Sequence, residues 1–393
     1  MGFDVCIVGT GPGGLHLAVL LSEKGVRPIV LEKDKRVTDS FCGELVEEEV
    51  LELAKIPKKS ELVTNRFIRA QVTNLDTNRS IDFPQKVAGK NYLLDENKFQ
   101  TELKEVAESN GAVFRFAEKA VSVVKKDGFV SGIRTTKATY KTPITVGADG
   151  ARCTVASTAQ FPLSYFKTLP GIRFKLKNCR GLDANCAYFY LSRKIGLGYL
   201  WLYPRSETEC NVGIGSISAI NMGSILRKFI DNRAEFSSAK IIDRNGDRVP
   251  YIGLLSRFVD NGIVLVGNSA GQVGSLLGGG VETTLTGTKL AAPVLINALE
   301  SQDYSIYQLG IYEKKYRSSS NGKKVQTTAK YLSKIIKFSK KRDVFNYLDE
   351  IFSIIDGTKI RKTVYGESLI LSIISLVVKH PKFTFKLVKD YYL

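Results

Sequence analysis

The sequence predicts an α/β fold in which a Rossmann-type domain is interleaved with an antiparallel-sheet domain and followed by a C-terminal helical region. A β-α-β unit opens the chain at 3–33, short strands alternate with turns over 161–250, and basic helical sequence begins near Gln302. A chain of 393 residues is long enough to bury more than one core. The expected divisions are 1–64, 85–158 and 251–300 for the Rossmann-type domain, 65–84 and 159–250 for the sheet domain, and 301–393 for the helical region.

The opening unit carries a glycine pattern between a strand and a helix. An apolar run at 5–8 leads into Gly-x-Gly-x-x-Gly at 9–14, and a helical pattern continues to about Lys24. A second apolar run then ends at Glu32. An acid at that point accepts a hydrogen bond from a ribose 2′-hydroxyl, which favours FAD or NAD over NADP. The alternative is a glycine-rich turn in another kind of α/β protein.

Each glycine of this pattern has a mechanical use in dinucleotide binding. Gly9 permits the tight turn, Gly11 lets a pyrophosphate approach the backbone, and Gly14 lets the helix pack close to the strand. The N–H groups at the start of the helix, with its positive dipole end, then face the phosphates. The unit therefore predicts a bound dinucleotide.

The composition is typical of a globular protein without membrane spans. Hydrophobic residues make up 44% and charged residues 24% of the chain. Apolar runs stay shorter than the roughly 18 residues that cross a bilayer. The first strand begins at once, so we expect no signal peptide. Six cysteines without a Cys-x-x-Cys pair predict cytoplasmic thiols, while a disulfide among Cys179, Cys186 and Cys210 stays open.

The net charge of +18 is uneven, since 301–393 holds 18 Lys and Arg against 8 Asp and Glu. Such an excess suits nucleic acid, an anionic membrane surface or an anionic substrate. Nucleic acid is the least favoured, because the basic residues are not interleaved with exposed aromatic residues as in single-strand binders. The apolar stretch 368–378, flanked by lysines and too short to span, predicts peripheral contact with an anionic leaflet at the cytoplasmic face of the membrane.

The other elements are predicted from periodicity and turn residues. Helical patterns occupy 45–56 and 92–113, and a hairpin with a polar turn occupies 65–84. In the basic region, the apolar stretches 344–355 and 369–380 predict two further helices.

Two later motifs stand behind the first. Asp149-Gly150 ends an apolar strand, although an Asp-Gly turn is common in any fold. The strand at 262–268 ends in Gly267-Asn268, which puts a polar side chain where a ribityl hydroxyl needs a partner. The segment 278–281, Gly-Gly-Gly-Val, then opens a helix whose N-terminal dipole suits an anionic reduced flavin.

With these motifs the chain resembles the FAD-dependent fold shared by aromatic hydroxylases, halogenases and geranylgeranyl reductases. Within that fold it resembles the archaeal geranylgeranyl reductase family, through Cys42-Gly43, the aromatic segment 199–204, the glycines of 278–281 and the C-terminal segment 376–383. The resemblance implies FAD as cofactor. It also implies reduction of isolated C=C bonds in geranylgeranyl chains, of archaeal membrane lipids or related prenyl compounds. The Rossmann-type domain is then the FAD-binding domain, and the sheet domain binds substrate.

The motifs and the resemblance together predict the site residues. Cys42 is the catalytic candidate. FAD contacts are expected from Gly9, Gly11, Gly13, Gly14, Glu32, Lys33, Cys42, Gly43, Ala120, Asp149, Asn268, Gly279, Gly280 and Val281. Substrate contacts are expected from the aromatic motif, Tyr199, Trp201, Tyr203 and Pro204, in which Tyr203 stands where the family has Phe. With only two histidines in the chain, no metal site is expected.

Two positions depart from the family pattern. Most relatives have Asp where this chain has Asn268, and Glu96 stands where the family usually has Arg after the Asp of an Ile-Asp-Arg segment. Asn still accepts from and donates to a hydroxyl, whereas Glu96 removes an expected flavin contact. One alternative is therefore a homologue that binds FAD or lipid without turnover. The other is a flavin monooxygenase, or another FAD oxidoreductase, acting on a small aromatic or quinone.

The residues fit the chemistry that the resemblance implies. An unactivated alkene accepts hydride when a proton arrives with it and positive charge builds on carbon. Cys42 is the candidate proton donor, and the aromatic faces of 199–203 are candidates to stabilise that charge. The alternative for Cys42 is a small residue that packs against the flavin. The alternative for the aromatic residues is ordinary core of the sheet. The electron donor stays open between ferredoxin, a nicotinamide and a deazaflavin.

Overall fold

A six-stranded sheet forms the centre of the first layer of the fold. The computed structural model describes residues 2–37, 41–85, 89–164 and 166–354. In order across this sheet the strands are β18 (Val259–Asp260), β19 (Ile263–Leu265), β12 (Ile144–Gly147), β1 (Val5–Val8), β2 (Pro28–Leu31) and β8 (Val113–Arg115). Neighbouring strands run parallel, apart from the antiparallel edge pair β18 and β19.

Helices cover this sheet because its strands are apolar on both faces. Strands β1, β2 and β12 are buried along their whole length, as expected of parallel strands with helices on each side. Helix α1 (Pro12–Ser22) packs against α3 (Glu96–Ser109) and α6 (Val281–Ser301). The carboxyl ends of β1 and β12 therefore open toward the N-terminal ends of α1 and α6, where the glycine motifs lie.

A seven-stranded sheet forms the second layer and includes both the predicted hairpin and the later strands. In order its strands are β17 (Lys240–Pro250), β13 (Thr168–Lys177), β16 (Glu209–Ser216), β15 (Gly198–Pro204), β14 (Cys186–Leu191), β5 (Arg69–Asn74) and β6 (Arg79–Pro84). The sheet is antiparallel as predicted, except where the hairpin lies beside the later strands and β5 runs parallel to β14. The domain boundaries given above stay a prediction.

Two predicted helices begin later than their patterns suggested. Residues 92–94 belong to strand β7 (Asn91–Leu94), and α3 begins only at Glu96. The Asp95 carboxylate caps α3 by accepting a hydrogen bond from the Lys98 backbone N–H at 3.2 Å. In the same way the helix predicted at 45–56 opens with strand β3 (Leu45–Glu47), which is followed by α2 (Glu48–Leu53).

The hairpin predicted at 65–84 is also divided. Its first strand splits at Ile68 into β4 (Val63–Phe67) and β5, because the backbone N–H groups of Ile68 and Arg69 both donate to the Asn185 carbonyl. Strand β4 joins β7 and β3 in a separate three-stranded sheet. That small sheet carries the backbone from the first layer toward the second.

The remaining elements complete the covering layers. They are strands β9 (Ala120–Lys126), β10 (Phe129–Thr135) and β11 (Thr139–Tyr140), and helices α4 (Thr154–Thr158), α5 (Met222–Asp231), α7 (Ile306–Ser318), α8 (Ser320–Ser339) and α9 (Val344–Ile354). Within the described residues no helix combines the length and apolar character needed to cross a bilayer. The apolar stretches 368–378 and 369–380 lie outside the described residues.

Candidate active site

One large cavity of about 2670 Å³ receives nearly all the predicted site residues. It opens between the glycine motifs of the first layer and the aromatic strand β15 of the second. The predicted residues that line it are Gly9, Gly11, Gly13, Glu32, Lys33, Cys42, Gly43, Ala120, Asp149, Asn268, Gly279, Gly280, Val281, Tyr199, Trp201 and Tyr203. Residues from six separate parts of the chain therefore meet at one site.

The first glycine motif has the geometry that its pattern predicts. Gly9 has a φ of +106°, a conformation that residues with a side chain rarely adopt. A Cβ on Gly14 would collide with the Gly9 carbonyl oxygen, so only glycine lets α1 lie this close to β1. A Cβ on Gly11, by contrast, would meet nothing within 4 Å, because Gly11 faces the open cavity. Gly14 thus acts by packing, while Gly11 borders the space for a ligand.

Two helices present their N-termini to this cavity. Among the described side chains none caps α1 at Gly11 or α6 at Gly280 through a hydrogen bond. Their first N–H groups are thus available to an anion or a carbonyl, as in dinucleotide sites. Because both N-termini are open to an anion, the residues of this cavity fit the pyrophosphate of FAD and its anionic reduced ring.

Glu32 lies at the end of β2 and is 9% exposed. Its Oε2 accepts hydrogen bonds from the Thr10 backbone N–H at 3.0 Å and from the Thr10 hydroxyl at 2.6 Å. These bonds hold the carboxylate at the cavity wall, next to the glycine turn. Thr10 carries no signal in the sequence, because any residue fits that position of the glycine pattern.

Asp149 and Asn268 lie at the adjoining ends of β12 and β19. The Asp149 Oδ2 accepts from the Thr154 backbone N–H at 2.6 Å, which fixes the carboxylate beside the cavity. Burial raises the pKa of Asp149 above its usual value. Asn268 lies against Gly280, since a Cβ built on that glycine would stand 3.5 Å from the Asn268 Oδ1. The amide is therefore placed at the start of α6.

Cys42 lies in the loop between β2 and β3 and is half-buried. Its Sγ accepts a hydrogen bond from the Glu44 backbone N–H at 3.2 Å. Burial raises the pKa of the Cys42 thiol well above its usual value, and the nearby Glu96 carboxylate raises it further. The thiol is therefore protonated at neutral pH, as a proton donor must be.

The aromatic residues of β15 form one wall of the cavity. Because side chains alternate along a strand, Tyr199, Trp201 and Tyr203 share one face. The ring centroids of Trp201 lie 5.9 Å from those of Tyr199 and 6.2 Å from those of Tyr203. A Cβ on Gly43 would stand 3.1 Å from Tyr203 Cε2 and 3.7 Å from Trp201 Nε1, so the Cys42 loop touches this wall.

Three predicted residues play a smaller part. Gly14 packs α1 as described, and Pro204 lies outside the cavity lining, where its carbonyl accepts from the Asn65 side-chain amide at 2.8 Å. Lys33 reaches the rim, but its side chain is 66% exposed and pairs with Asp34 at 3.7 Å. An exposed pair of this kind contributes little.

The strongest interactions at the site come from residues that sequence reasoning did not single out. Glu44, Lys175, Arg205 and Asn211 form a buried polar cluster behind the Cys42 loop and the aromatic wall. Three of these residues come from β13, β16 and the end of β15, and the pairing of β13 with β16 joins residues far apart in the chain. No local pattern marks them.

Comparison with protein families assigns this architecture. The model of an FAD-binding domain matches residues 2–176, and the model of the geranylgeranyl reductase catalytic domain matches residues 168–249. The second match contains the aromatic wall. Together the two matches cover the cavity-lining residues up to Val249. Over these residues the chain is similar to FAD-binding proteins and to the catalytic domain of geranylgeranyl reductases. FAD is the cofactor of this chain, and its residues fit that group.

Individual relatives match most of the chain. The digeranylgeranylglycerophospholipid reductase of Methanosarcina mazei is 28% identical over 337 residues, which cover 81% of each chain. The protein of that name from Methanosphaerula palustris is 27% identical over 403 residues, covering 98% of this chain and 97% of the relative. These matches span the first and second layers alike.

Solved structures share the fold. A geranylgeranyl bacteriochlorophyll reductase-like protein from Thermoplasma acidophilum superposes with a TM-score of 0.85 at 23% identity, covering 99% of both chains. Halogenase PltM in complex with FAD superposes with a TM-score of 0.65 at 15% identity, covering 80% of this chain and 74% of the halogenase. At these identities the likeness establishes the fold.

Proposed function

We propose that this protein is an FAD-dependent reductase that saturates C=C bonds of geranylgeranyl chains, in the digeranylgeranyl glycerophospholipids named in its relatives. The observation that carries the proposal is the meeting of a protonated thiol, Cys42, with the aromatic wall of β15 in the cavity that the FAD motifs line. Reduction of an isolated alkene needs a proton and a hydride at adjacent carbons, and this arrangement serves both.

The thiol and the cofactor have separate tasks in this reaction. Reduced FAD supplies the hydride to one carbon of the double bond. Cys42 gives its proton to the other carbon and is left as a thiolate, which the Glu44 N–H stabilises through the 3.2 Å hydrogen bond. A proton from solvent then restores the thiol. One hydride and one proton together account for the saturated bond.

The aromatic wall acts on the charge that develops during proton transfer. Protonation of a trisubstituted alkene builds positive charge on carbon, and the faces of aromatic rings attract such charge. Tyr199, Trp201 and Tyr203 lie on the same face beside the Cys42 loop. Burial raises the pKa of Tyr203 well above its usual value, so its ring stays neutral.

The rest of the cavity suits an isoprenoid chain. Beyond the aromatic wall, part of its lining is apolar and comes from the sheet and from helices α8 and α9, through Val72, Phe189, Leu191, Ile335, Phe345 and Leu348. Such a lining removes an apolar chain from water at about 25 cal/mol per Å² of buried surface. A small aromatic substrate would leave most of this volume unfilled.

The reaction also requires delivery of lipid and of electrons to the cavity. The prenyl lipid is taken from a membrane, for which the basic C-terminal region provides peripheral contact with an anionic leaflet. Helix α8, which forms part of the cavity rim, carries Lys330, Lys334 and Lys337 on its length. The external electron donor is a ferredoxin, a nicotinamide or a deazaflavin.

The test uses purified, FAD-loaded protein reduced chemically in the absence of oxygen and mixed with digeranylgeranyl lipid. We expect mass spectrometry to find lipid that has gained one molecule of hydrogen for each bond reduced. The control is protein without FAD. Unchanged lipid in both samples would contradict the proposal, and a hydroxylated aromatic product in air would support the monooxygenase alternative.

A further inference from the structure

Glu44 occupies an unusual position immediately after the Cys42-Gly43 pair. Its side chain and backbone are buried to 1% exposure, which is rare for a carboxylate. Its φ of +66° lies in the left-handed region, which favours glycine and costs a residue with a side chain free energy. Both features are unfavourable, so the surrounding structure must hold Glu44 in place.

The carboxylate of Glu44 is held by two cations and an amide. Its Oε1 pairs with Lys175 at 2.8 Å, and its Oε2 pairs with Arg205 at 2.7 Å. The Oε2 also accepts from the Asn211 side-chain amide at 3.2 Å. Arg205 in turn pairs with Asp95 at 2.9 Å. One carboxylate thus joins β13, β16 and the end of β15.

The same residue holds the catalytic loop through its backbone. Its N–H donates to Cys42 Sγ at 3.2 Å, and its carbonyl accepts from the Leu94 N–H at 2.9 Å. The backbone of Glu44 thus ties the loop at two points, to the sulfur two residues earlier and to strand β7. Because these bonds and the buried carboxylate belong to one residue, release of the carboxylate would loosen both backbone bonds.

Asn211 extends the arrangement to the aromatic wall. Its Oδ1 accepts from Trp201 Nε1 at 2.9 Å, and its Nδ2 also approaches the Cys42 carbonyl at 3.4 Å. Asn211 is fully buried. The position of the Trp201 ring and the position of the Cys42 loop therefore depend on the same buried cluster.

We propose that Glu44 is a positioning residue of the reduction, which holds the Cys42 thiol and the Trp201 ring in register across the cavity. This inference rests on the proposed function of Cys42. The carboxylate, fixed between Lys175 and Arg205, keeps the strained turn closed, and the turn aims its N–H at Sγ. Glu44 itself does not line the cavity and acts only through these two residues.

The charges around the thiol set the pH at which Cys42 reacts, and this pH can be measured. The groups that face Cys42 are Glu44 in its own loop, Glu96 on α3, Arg173 on β13, and the phenols of Tyr199 and Tyr203 on β15. Glu44→Gln removes one negative charge and leaves the two cations beside the loop. We expect the thiolate to become easier to form, so that Cys42 reacts with iodoacetamide at lower pH than in the wild type.

Two variants and one control separate positioning from simple stability. Glu44→Gln keeps the shape, and Glu44→Gly removes the clamp while relieving the left-handed strain. Glu118→Gln is the control, because Glu118 is a buried carboxylate that bonds to Thr135 and Tyr140 and does not line the cavity. All are studied as full-length, FAD-loaded protein.

The readouts are FAD affinity, the pH profile of Cys42 alkylation by peptide mass spectrometry, and kcat and KM for digeranylgeranyl lipid. The other five cysteines are buried and serve as an internal reference. We expect both Glu44 variants to bind FAD normally and to lose kcat by about tenfold or more, the scale of impaired proton transfer, with KM little changed. Glu44→Gln should also shift the alkylation profile to lower pH.

The proposal would be overturned if both Glu44 variants kept the wild-type kcat and the wild-type alkylation profile, and lost melting temperature only as Glu118→Gln does. Failure of the proposed function is a separate result. If Cys42→Ser turned over lipid like the wild type, Cys42 would not be the proton donor, yet a shifted alkylation profile in Glu44→Gln would still report that the Glu44 carboxylate acts on the thiol.

Discussion

The replacement Gly11→Ala separates FAD binding from folding. The added Cβ meets no atom of the described chain within 4 Å, and Gly11 has an ordinary extended conformation, φ −68° and ψ 173°. The stability of the apoprotein should therefore change by less than about 0.5 kcal/mol. The methyl group would stand where the pyrophosphate approaches α1. Displacing one or two charge-assisted hydrogen bonds, at about 1.5–3 kcal/mol each, weakens FAD binding by roughly tenfold to more than a hundredfold.

The matched variant is Gly14→Ala, three residues along the same turn. Its Cβ collides with the Gly9 carbonyl oxygen, so α1 must move away from β1, at a typical overpacking cost of about 1–3 kcal/mol. We expect this variant to lower the melting temperature of the apoprotein, measured by circular dichroism. Quenching of flavin fluorescence measures FAD affinity in both. The reasoning is refuted if Gly11→Ala binds FAD as tightly as the wild type, or melts lower than Gly14→Ala.

Three further substitutions and one pH profile test other parts of the site and the helix that supports it. Glu32→Gln keeps the size of the side chain but removes its charge, and should weaken FAD binding by roughly tenfold, measured by the same fluorescence titration; unchanged affinity would remove Glu32 from the ribose site. Cys42→Ser should keep the flavin spectrum and slow product formation by about 10²-fold. In the wild type, product formation should stay level from neutral pH upward and fall only above the ordinary thiol range, because burial raises the pKa of Cys42; a fall beginning near neutrality would contradict this assignment. Burial lowers the pKa of His16 to about 4, so the unfolded chain binds a proton at higher pH than the folded one. The free energy of unfolding should therefore decrease as pH falls from about 6.5 toward 4, by on the order of 3 kcal/mol in all, and His16→Asn should lose that part of the pH dependence.

The sequence predicted the parts of the fold that local patterns encode. The turn at Gly9, the close packing at Gly14 and the helix that opens at Val281 each follow from residue types at fixed spacing. The first strand, β1, follows from an unbroken apolar run, and the aromatic residues of β15 follow from the motif at 199–204. These features place the cofactor loops and one wall of the cavity.

Non-local pairing accounts for what the sequence did not predict. The pattern at 92–94 predicts the start of a helix, whereas the structure has strand β7 there, because its pairing with β3 and β4 joins residues far apart in the chain. The parallel contact between β5 and β14 has the same origin. Glu44 is a charged residue in a loop, and only the fold brings Lys175 and Arg205 to it.

Reoxidation of the bound, reduced flavin by substrate tests the central claim most directly. FAD-loaded protein is reduced without oxygen and mixed with digeranylgeranyl lipid, with the fully saturated lipid as control, and the flavin absorbance is followed by stopped flow. The account predicts that the oxidised flavin spectrum returns with the unsaturated lipid and not with the saturated one. Flavin that stays reduced with both lipids, in protein that binds them, would contradict it.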